Sequence, residues 1–464
     1  MKFGGSLIDF SGTNLPLIVK RISETKEVKD SGPVTVFSAP EGVTDRLQAI
    51  GEAKALGQAY DLDFLFNSLL DLASRYVEKN LIKEFQEELY EYRRDVEETL
   101  QKVDRRFDGT VRARVLTSGG ELPTAMLMSY ILRSKGLDSC HLEKIEWPIV
   151  TNDSFDNATP DVEQSRKRLS RLLDLIEAGR VISVAGFLGF TSDGLETVLG
   201  RGGSDQTAVL LSCLLREHYE VETILLKETP VQSADPATVK EQKLQNISVM
   251  TYNEASKATV SGMTIVQNAA VRLAMLHRLP IKVVPLHDPS LGTVIQREDP
   301  TPYIVKCVTG LRNCAIITMN SDRSRSLEDC LRLWEGYDGF LDLGTEVIET
   351  GRVVRDLLVL DADFVRRHEE QLKSFDKEMS IERGLGIVTL VGDKMKSSAG
   401  VASIAVGSIP DINIKRGVFA PHTSQIILVI SGGDVPEAVR RIHSQLNRIN
   451  KPDREKAPKT LTNL

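Results

Sequence analysis

Aromatic side chains make up only 5% of the 464 residues, too few to supply the stacking platforms of a single-stranded nucleic-acid binder. Positive charge is also short: 58 basic residues face 65 acidic ones, the formal charge is −7, and no basic tail offsets it. That balance argues against nucleic acid as a partner. No apolar run approaches the ~20 residues of a membrane span, and the opening Met1-Lys2-Phe3-Gly4-Gly5 lacks a signal-peptide core. The five cysteines, Cys140, Cys213, Cys307, Cys314 and Cys330, are odd in number, scattered and without a CxxC pair. Reduced thiols in a cytoplasmic enzyme suit that pattern better than a disulfide framework or a zinc site.

Several chemistries lack their residues too. There is no Gly-Lys dipeptide and hence no Walker A loop. None of the seven histidines stands in an HExxH-like spacing, so no protein-held metal is expected. No GxSxG elbow with a histidine partner is found. What remains is an ordinary globular composition, 41% hydrophobic and 27% charged, over a length of two to four domains.

The first half alternates short β-rich runs with longer helical patterns, which predicts an α/β fold with a mainly parallel sheet covered by helices. Buried strands are expected at residues 34–37, 181–185 and 222–226. Residues 52–108 are rich in Leu, Glu, Lys and Arg, with neither Pro nor Gly between 58 and 107, and read as two or more amphipathic helices. After Pro285 the texture changes, and a βαββαβ pattern follows twice. The second copy is the clearer: strands at 386–391, 411–415 and 425–430, helices at 400–406 and 435–447. The first has strands at 315–318 and 356–360 and helices at 327–334 and 363–372. One such unit buries little core alone, so two imply a shared sheet or a paired interface. The expected domains are 1–300, 301–378 and 379–450, with a polar tail at 451–464.

Four segments put Gly, Ser, Thr and ionic residues where strands should end, which is where α/β sheets place ligands. Lys2-Phe3-Gly4-Gly5-Ser6-Leu7 offers backbone N–H groups, a hydroxyl and a cation to an anion, although a Gly-Gly turn after a strand is also commonplace. In Ser38-Ala39-Pro40-Glu41-Gly42-Val43-Thr44-Asp45-Arg46-Leu47, Thr44 reads equally as the N-cap of the next helix. In Thr117-Ser118-Gly119-Gly120-Glu121, the carboxylate of Glu121 falls in a first helical turn, favoured by the dipole or by a ligand. The fourth, Gly186-Phe187-Leu188-Gly189 with Thr197-Val198-Leu199-Gly200-Arg201-Gly202-Gly203-Ser204-Asp205-Gln206-Thr207-Ala208, makes an anion pocket at a helix start. Its Arg201 is suited to a bidentate grip of a carboxylate or phosphate.

In this order and spacing the segments resemble aspartokinase, of the amino acid kinase superfamily: a KFGGTS-like start, an SA…G.TD.L loop, an S.GE helix start, a GF.G…TLGRGGSD.TA loop, and a regulatory pair of ACT domains. Ile387-Val388-Thr389-Leu390-Val391-Gly392 with Met395 and Gly400-Val401 resembles the opening of an ACT domain. The resemblance implies the amino acid kinase fold, a mainly parallel sheet sandwiched by helices, with C-terminal tandem ACT-like α+β units. It implies transfer of the γ-phosphoryl group of MgATP to the side-chain carboxylate of L-aspartate, the first step of aspartate-family amino-acid biosynthesis. Lys2, with Gly4, Gly5 and Ser6, then meets the phosphates, and Asp205 orients Lys2. Arg201, beside Gly202 and Ser204, clamps a substrate carboxylate, Glu121 receives the ammonium, and Ser38 and Thr44 hydrogen-bond the acceptor. Leu226, Lys227, Gln232, Asp235, Pro236 and Thr264 fall to the nucleotide. An amino-acid effector between paired ACT units implies a homodimer or larger.

The chain departs from the family pattern on the nucleotide side. Gln232 stands for an aromatic, Ala237 for an arginine and Thr264 for a phosphate-contacting lysine, which implies weaker ATP binding or a changed nucleotide preference. A kinase of a related carboxylate or carbamate, and a non-catalytic amino-acid sensor, are the alternatives.

Overall fold

Short apolar runs bury their backbone only if every N–H and C=O finds a partner, and a sheet supplies those partners here. The computed structural model describes residues 1–28, 32–200, 202–240, 242–263, 265–333, 339–348, 350–419 and 424–451. By internal packing the chain divides into two units, Met1–Val231 with Val266–Arg297, and Gln232–Ile265 with Glu298–Leu464.

In the first unit the strands are β1 (Lys2–Phe3), β2 (Val34–Phe37), β3 (Ser139–His141), β4 (Val181–Ala185), β5 (Thr223–Lys227), β6 (Ile281–Pro285) and β7 (Thr293–Gln296). They lie in the order β7-β6-β5-β1-β2-β4-β3. All neighbours run parallel except β7, which is antiparallel to β6. A parallel sheet is covered on both faces, so its strands read as unbroken apolar runs rather than alternating ones; all five residues of β4 are buried. The strand expected at 222–226 is found one residue later.

Within residues 52–108 the chain forms helices Asp63–Tyr76 and Lys79–Leu100. Leu65, Phe66, Leu69 and Leu72 line the inner face of the first, and Phe85, Leu89, Val96 and Leu100 that of the second. These spacings of three, four and seven keep one stripe apolar. A second, smaller sheet joins Val150–Thr151, Pro160–Asp161, Leu188–Phe190 and Glu196–Val198. It carries the two halves of the fourth sequence segment on adjacent antiparallel strands, Gly189 opposite Thr197.

The second unit holds β8 (Cys307–Asn320), β9 (Phe340–Val347), β10 (Val353–Val359), β11 (Ser380–Val391), β12 (Arg416–Val418) and β13 (Gln425–Ser431), wholly antiparallel in the order β9-β10-β8-β11-β13-β12. This antiparallel sheet with its helices fits the ACT-like expectation. Both long strands serve two cores. Ala315, Ile317 and Met319 of β8 pack with Leu327, Leu331, Phe364 and Leu372 from helices. Val308 of β8 and Val388 and Leu390 of β11 pack instead with Val435, Val439 and Ile442 of helix Val435–Ser444. The β8–β11 register slips on either side of Cys314, between the two duties; such irregularities bend a strand and sharpen its twist.

Two expectations need correction. The strand expected at 411–415 is a turn, and the pairing strand is Arg416–Val418. Ile412 and Ile414 do pack against the core, as their alternation indicated, but on a turn still closing from the preceding helix, Ile412 N–H to Ile409 C=O at 3.1 Å. The helix expected at 363–372 is two, Ala362–Arg367 and Glu369–Phe375, with His368 at the junction. Trp334, at the end of another expected helix, and tail residues 452–464 lie outside the described residues.

Leu428, fully buried on the helix-bearing face of β13, provides the test of this core. Leu428→Ala is expected to cost about 3 kcal/mol and to lower the chemical-denaturation midpoint of this unit, whereas Val347→Ala at the exposed edge β9 leaves it within about 0.5 kcal/mol. Equal midpoints would contradict the core assignment.

Candidate active site

Residues at the C-terminal ends of neighbouring parallel strands converge because the strands point the same way. Gly4 follows β1, Ser38 follows β2, Gly186 follows β4 and Lys227 ends β5. The backbone ties them in turn: Ser38 N–H to Phe3 C=O at 3.2 Å and Gly186 N–H to Phe37 C=O at 2.8 Å. Phe3 and Phe37 stack beneath, centroids 5.3 Å apart. Gly5 is required by close approach, since a Cβ there would lie 2.6 Å from the Ala39 carbonyl oxygen.

An ion cluster sits at this end of the sheet. Asp205, in the first turn of helix Gly203–Leu215, is 2% exposed and Lys2 6%. Lys2 Nζ lies 2.7 Å from Asp205 Oδ1, Lys227 Nζ lies 3.4 Å from Oδ2, and the Gln267 N–H donates to Oδ2 at 3.3 Å. Burial pushes the Lys2 ammonium below its ordinary value, while Asp205 pulls it back. Burial acts the other way on Asp205, but the charges of Lys2 and Lys227 outweigh it and hold the carboxyl well below the usual range. Two ammonium groups against one carboxylate leave a net positive charge.

The glycine-rich loop closes against this cluster with little space left. Gly202, at φ 72°, caps the helix, and a Cβ on it would fall 1.6 Å from Gln267 Cγ. A Cβ on Gly186 would meet Ser204 Oγ at 2.3 Å. Phe187 adopts φ 70°, uncommon for a bulky residue, and its N–H donates to Thr207 Oγ1 at 3.0 Å. Backbone strain of this kind gathers at functional sites.

Glu121 begins helix Glu121–Arg133 and is 4% exposed, and its Oε2 has no hydrogen-bond partner. Burial pushes its carboxyl up to about 8, against backbone hydrogen bonds at Glu121 and Ala39. A Cβ on Gly120 would touch Ala39 Cβ at 3.1 Å and one on Gly119 would meet Leu47 Cδ2 at 2.6 Å, so the second and third sequence segments interlock. Thr44 is the second residue of helix Val43–Ala55, and the N-cap is not Thr44 but Gly42, at φ 76°.

The first unit therefore gathers Lys2, Gly4, Gly5, Ser6, Ser38, Glu121, Gly202, Ser204, Asp205, Leu226 and Lys227 on the ends of shared elements. Arg201 and Thr264 lie outside the described residues. Gln232, Asp235 and Pro236 belong to the second unit. There Gln232 Nε2 donates to Asn246 Oδ1 at 3.1 Å, and Asp235 accepts from Ala237 N–H at 3.0 Å and Thr238 Oγ1 at 2.8 Å in its own turn. A cavity of about 160 Å³ opens at the opposite ends of the strands, by Met1, Val34, Ala208 and Thr223, and contains none of these residues.

Sequence reasoning gave no role to Gln267, which is distant in the chain from Asp205, nor to a supporting network behind Ser118. Lys144 Nζ donates to Asp95 Oδ2 at 2.9 Å, Ser118 Oγ at 2.7 Å and Glu196 Oε1 at 2.9 Å. Thr117 Oγ1 donates to Glu196 Oε2 at 3.0 Å, and Arg114 bonds Asp95. The network anchors the end of helix Gly109–Gly119, from which Glu121 follows.

The model of the amino acid kinase family matches residues 1–285, well over half of the chain. It belongs to that family. Among curated proteins, this amino acid kinase is 26% identical over 463 residues to the lysine-sensitive aspartokinase 3 of Escherichia coli, covering 96% of this chain and 98% of that one. It is 28% identical over 345 residues to an aspartokinase of Helicobacter pylori, 71% and 82% of the respective chains. Among solved structures, E. coli aspartokinase III with aspartate and ADP (R-state) superposes with a TM-score of 0.76 at 22% identity, over 96% of this chain and 99% of that one. The same enzyme with lysine and aspartate (T-state) gives 0.71, also at 22% identity, over 96% and 98%. These likenesses show the shared fold.

The network behind Ser118 yields a pH test. Burial pushes the Asp95 carboxyl up, but Arg114, Lys144 and Ser118 outweigh it and hold it at about 2. The folded value lies below the ordinary one, so the stabilisation is complete above about pH 4 and is lost as pH falls toward 2. Lys144→Met removes a shared ammonium and is expected to cost about 2 kcal/mol. It also raises the Asp95 value, moving the acid limb of the stability profile to higher pH. Superimposable limbs in acid denaturation of the two proteins would refute this.

Proposed function

We propose that this amino acid kinase is an aspartate kinase, transferring the γ-phosphoryl group of ATP to the side-chain carboxylate of L-aspartate and giving 4-phospho-L-aspartate. The acceptor is ionised at neutral pH, so no general base is called for. The barrier is the approach of two anions, and the chain lowers it by position and by cancelling charge. Lys2 and Lys227, sharing Asp205, supply the cationic surplus for the phosphates, with the backbone of Gly4 and Gly5 and the hydroxyl of Ser6 beside them. By its place in the loop, Arg201 clamps a carboxylate of the acceptor, flanked by Gly202 and Ser204. Ser38 and Thr44 hydrogen-bond the acceptor. Leu226 borders the nucleotide, and by resemblance so do Gln232, Asp235, Pro236 and Thr264.

The observation that carries this reading is Glu121, a buried carboxylate with an unpartnered oxygen at the sheet end that also holds the cations. A partner that rewards burying such a group is an ammonium, and an acceptor bearing both an ammonium and a carboxylate is an amino acid. The set fits Mg²⁺ carried on the nucleotide phosphates rather than held by the chain, because Asp205 is already committed to two lysines and a backbone N–H. Bound there, the ion withdraws charge from the phosphates. The intact lysine pair favours catalysis over a sensor without turnover. The ACT-like sheet is assigned to an amino-acid effector bound between paired copies, making a homodimer or larger. Among the described residues no helix is long and apolar enough to cross a membrane.

Incubation with MgATP, L-aspartate and hydroxylamine is expected to yield aspartyl hydroxamate, and Arg201→Ala to lose turnover mainly through aspartate saturation. No hydroxamate with any nucleotide or divalent metal would overturn the reading. A second outcome follows from Glu121. With its carboxyl at about 8, Glu121 is mainly protonated at pH 7 in the empty protein. An arriving ammonium lowers that value and expels the proton. Calorimetry in buffers of differing ionisation enthalpy should show close to one proton released per aspartate bound, and none from Glu121→Gln. Wild-type binding without proton release would place the ammonium elsewhere.

A further inference from the structure

Lys144 opens the short turn Lys144–Glu146, and its ammonium spends all three N–H groups on three different elements. It donates to Asp95 Oδ2 of helix Lys79–Leu100 at 2.9 Å and to Ser118 Oγ of helix Gly109–Gly119 at 2.7 Å. The third bond, also 2.9 Å, goes to Glu196 Oε1 of strand Glu196–Val198. Cross-links join the same elements in pairs. Ser118 Oγ passes its own proton to Asp95 Oδ2 at 2.7 Å, and Thr117 Oγ1 donates to Glu196 Oε2 at 3.0 Å. Thr117, Ser118 and Glu196 are buried, where a hydrogen bond is electrostatically stronger than in water.

Both ends of this strut lead to residues assigned to the acceptor. On one side only Gly119 and Gly120 separate Ser118 from Glu121. Gly120 is the single residue between two helices, and a Cβ on it would lie 2.8 Å from the Leu116 carbonyl oxygen, so the turn has no slack. On the other side the strand runs into the glycine-rich loop, where Leu199 N–H donates to Phe187 C=O at 2.9 Å and Gly203 N–H to Gly200 C=O at 3.0 Å. Arg201 is the fifth residue after Glu196. Lys144 and Arg114 face Asp95 and Glu196, two cations against two carboxylates. With no net charge to project, the network acts on Glu121 through position.

We infer that Lys144 and Glu196 are positioning residues for the acceptor, tying the turn that carries Glu121 to the strand that enters the Arg201 loop, so that the two groups gripping the amino acid keep one spacing. The inference rests on the aspartate kinase reading. Neither residue touches substrate. Ser118 is the link on the Glu121 side, and cutting that link frees the ammonium receptor while the ion pairs behind it remain. The phosphate-facing lysines, Lys2 and Lys227, have no bond to the strut, so nucleotide use is spared.

The test uses the full chain with Lys144→Met, Ser118→Ala and Glu121→Gln, read by steady-state kinetics and calorimetric ADP titration. A hydrogen bond to a charged group is worth about tenfold or more. Lys144→Met and Ser118→Ala are each expected to raise KM for aspartate about tenfold. KM for ATP, ADP affinity and kcat should change less than about twofold, because ammonium binding is lost equally from ground and transition states. Ser118→Ala leaves Asp95, Lys144 and Glu196 paired and decides the matter if Lys144→Met does not fold. Added to Glu121→Gln, Ser118→Ala makes little further difference, because it acts through that carboxylate. An unchanged KM for aspartate in either folded variant, equal rises in both KM values, or full additivity with Glu121→Gln would overturn the inference and leave the kinase reading standing. A wild-type chain that forms no aspartyl phosphate would instead overturn the reading itself.

Discussion

A carboxylate buried between two ammonium groups is the constraint on which the rest of the first unit depends. Each member alone would be prohibitive in this position: Lys2 and Asp205 are almost wholly removed from water, and an unpaired buried ion costs several kcal/mol. Together they are tolerable, with a surplus of one positive charge. The third group bonded to Asp205, the Gln267 N–H, is neutral and brings no second carboxylate to cancel the surplus. An incoming polyphosphate can neutralise it. The tight glycines serve this arrangement. With side chains on Gly186 or Gly202, the helix carrying Asp205 could not approach β1 and Gln267 as it does.

Glu121 is the complement of that cluster. It lies at the same end of the sheet, yet burial outweighs two backbone hydrogen bonds and keeps it mainly protonated, so the empty protein does not pay for a second isolated charge. On the proposed reading, a neutral acid that becomes an anion only when an ammonium arrives selects its substrate without a steric gate. Its geometry is set at a distance, by the Lys144, Asp95 and Glu196 network that holds Ser118 three residues earlier. The surroundings of Glu121 are thus carried by packed helices and buried ion pairs. Residues 232–236 are carried by a different core, in which β8 and β11 serve two helical layers at once.

Much of this was readable from residue types. Strands buried on both faces announce themselves as continuous apolar runs, so residues 34–37 and 181–185 match their expected bounds, and periodicity indicates amphipathic helices within 52–108, whose bounds only the structure gives. Strand and turn could not be told apart at 411–415, because alternating isoleucines point into a core from either. The break at His368 was hidden for a similar reason: the apolar spacing continues across it. The role of Gln267 was not legible, since its contribution is a backbone N–H and a methylene wedged against Gly202, and any residue type can supply the first.

Chain order and composition settled the class of fold, the loop positions and the charges available for catalysis, because periodicity, glycine placement and ionisable groups are local properties. Which charges share a site was settled only by folding. Lys2 stands some two hundred residues before Asp205 and Lys227, and the three meet because parallel strands β1 and β5 and the start of helix Gly203–Leu215 come to one edge of the sheet. Whether Glu121 is an acid or an anion at pH 7, and which groups hold Ser118, depend on burial and on partners remote in sequence. Those are properties of packing, and no linear pattern encodes them.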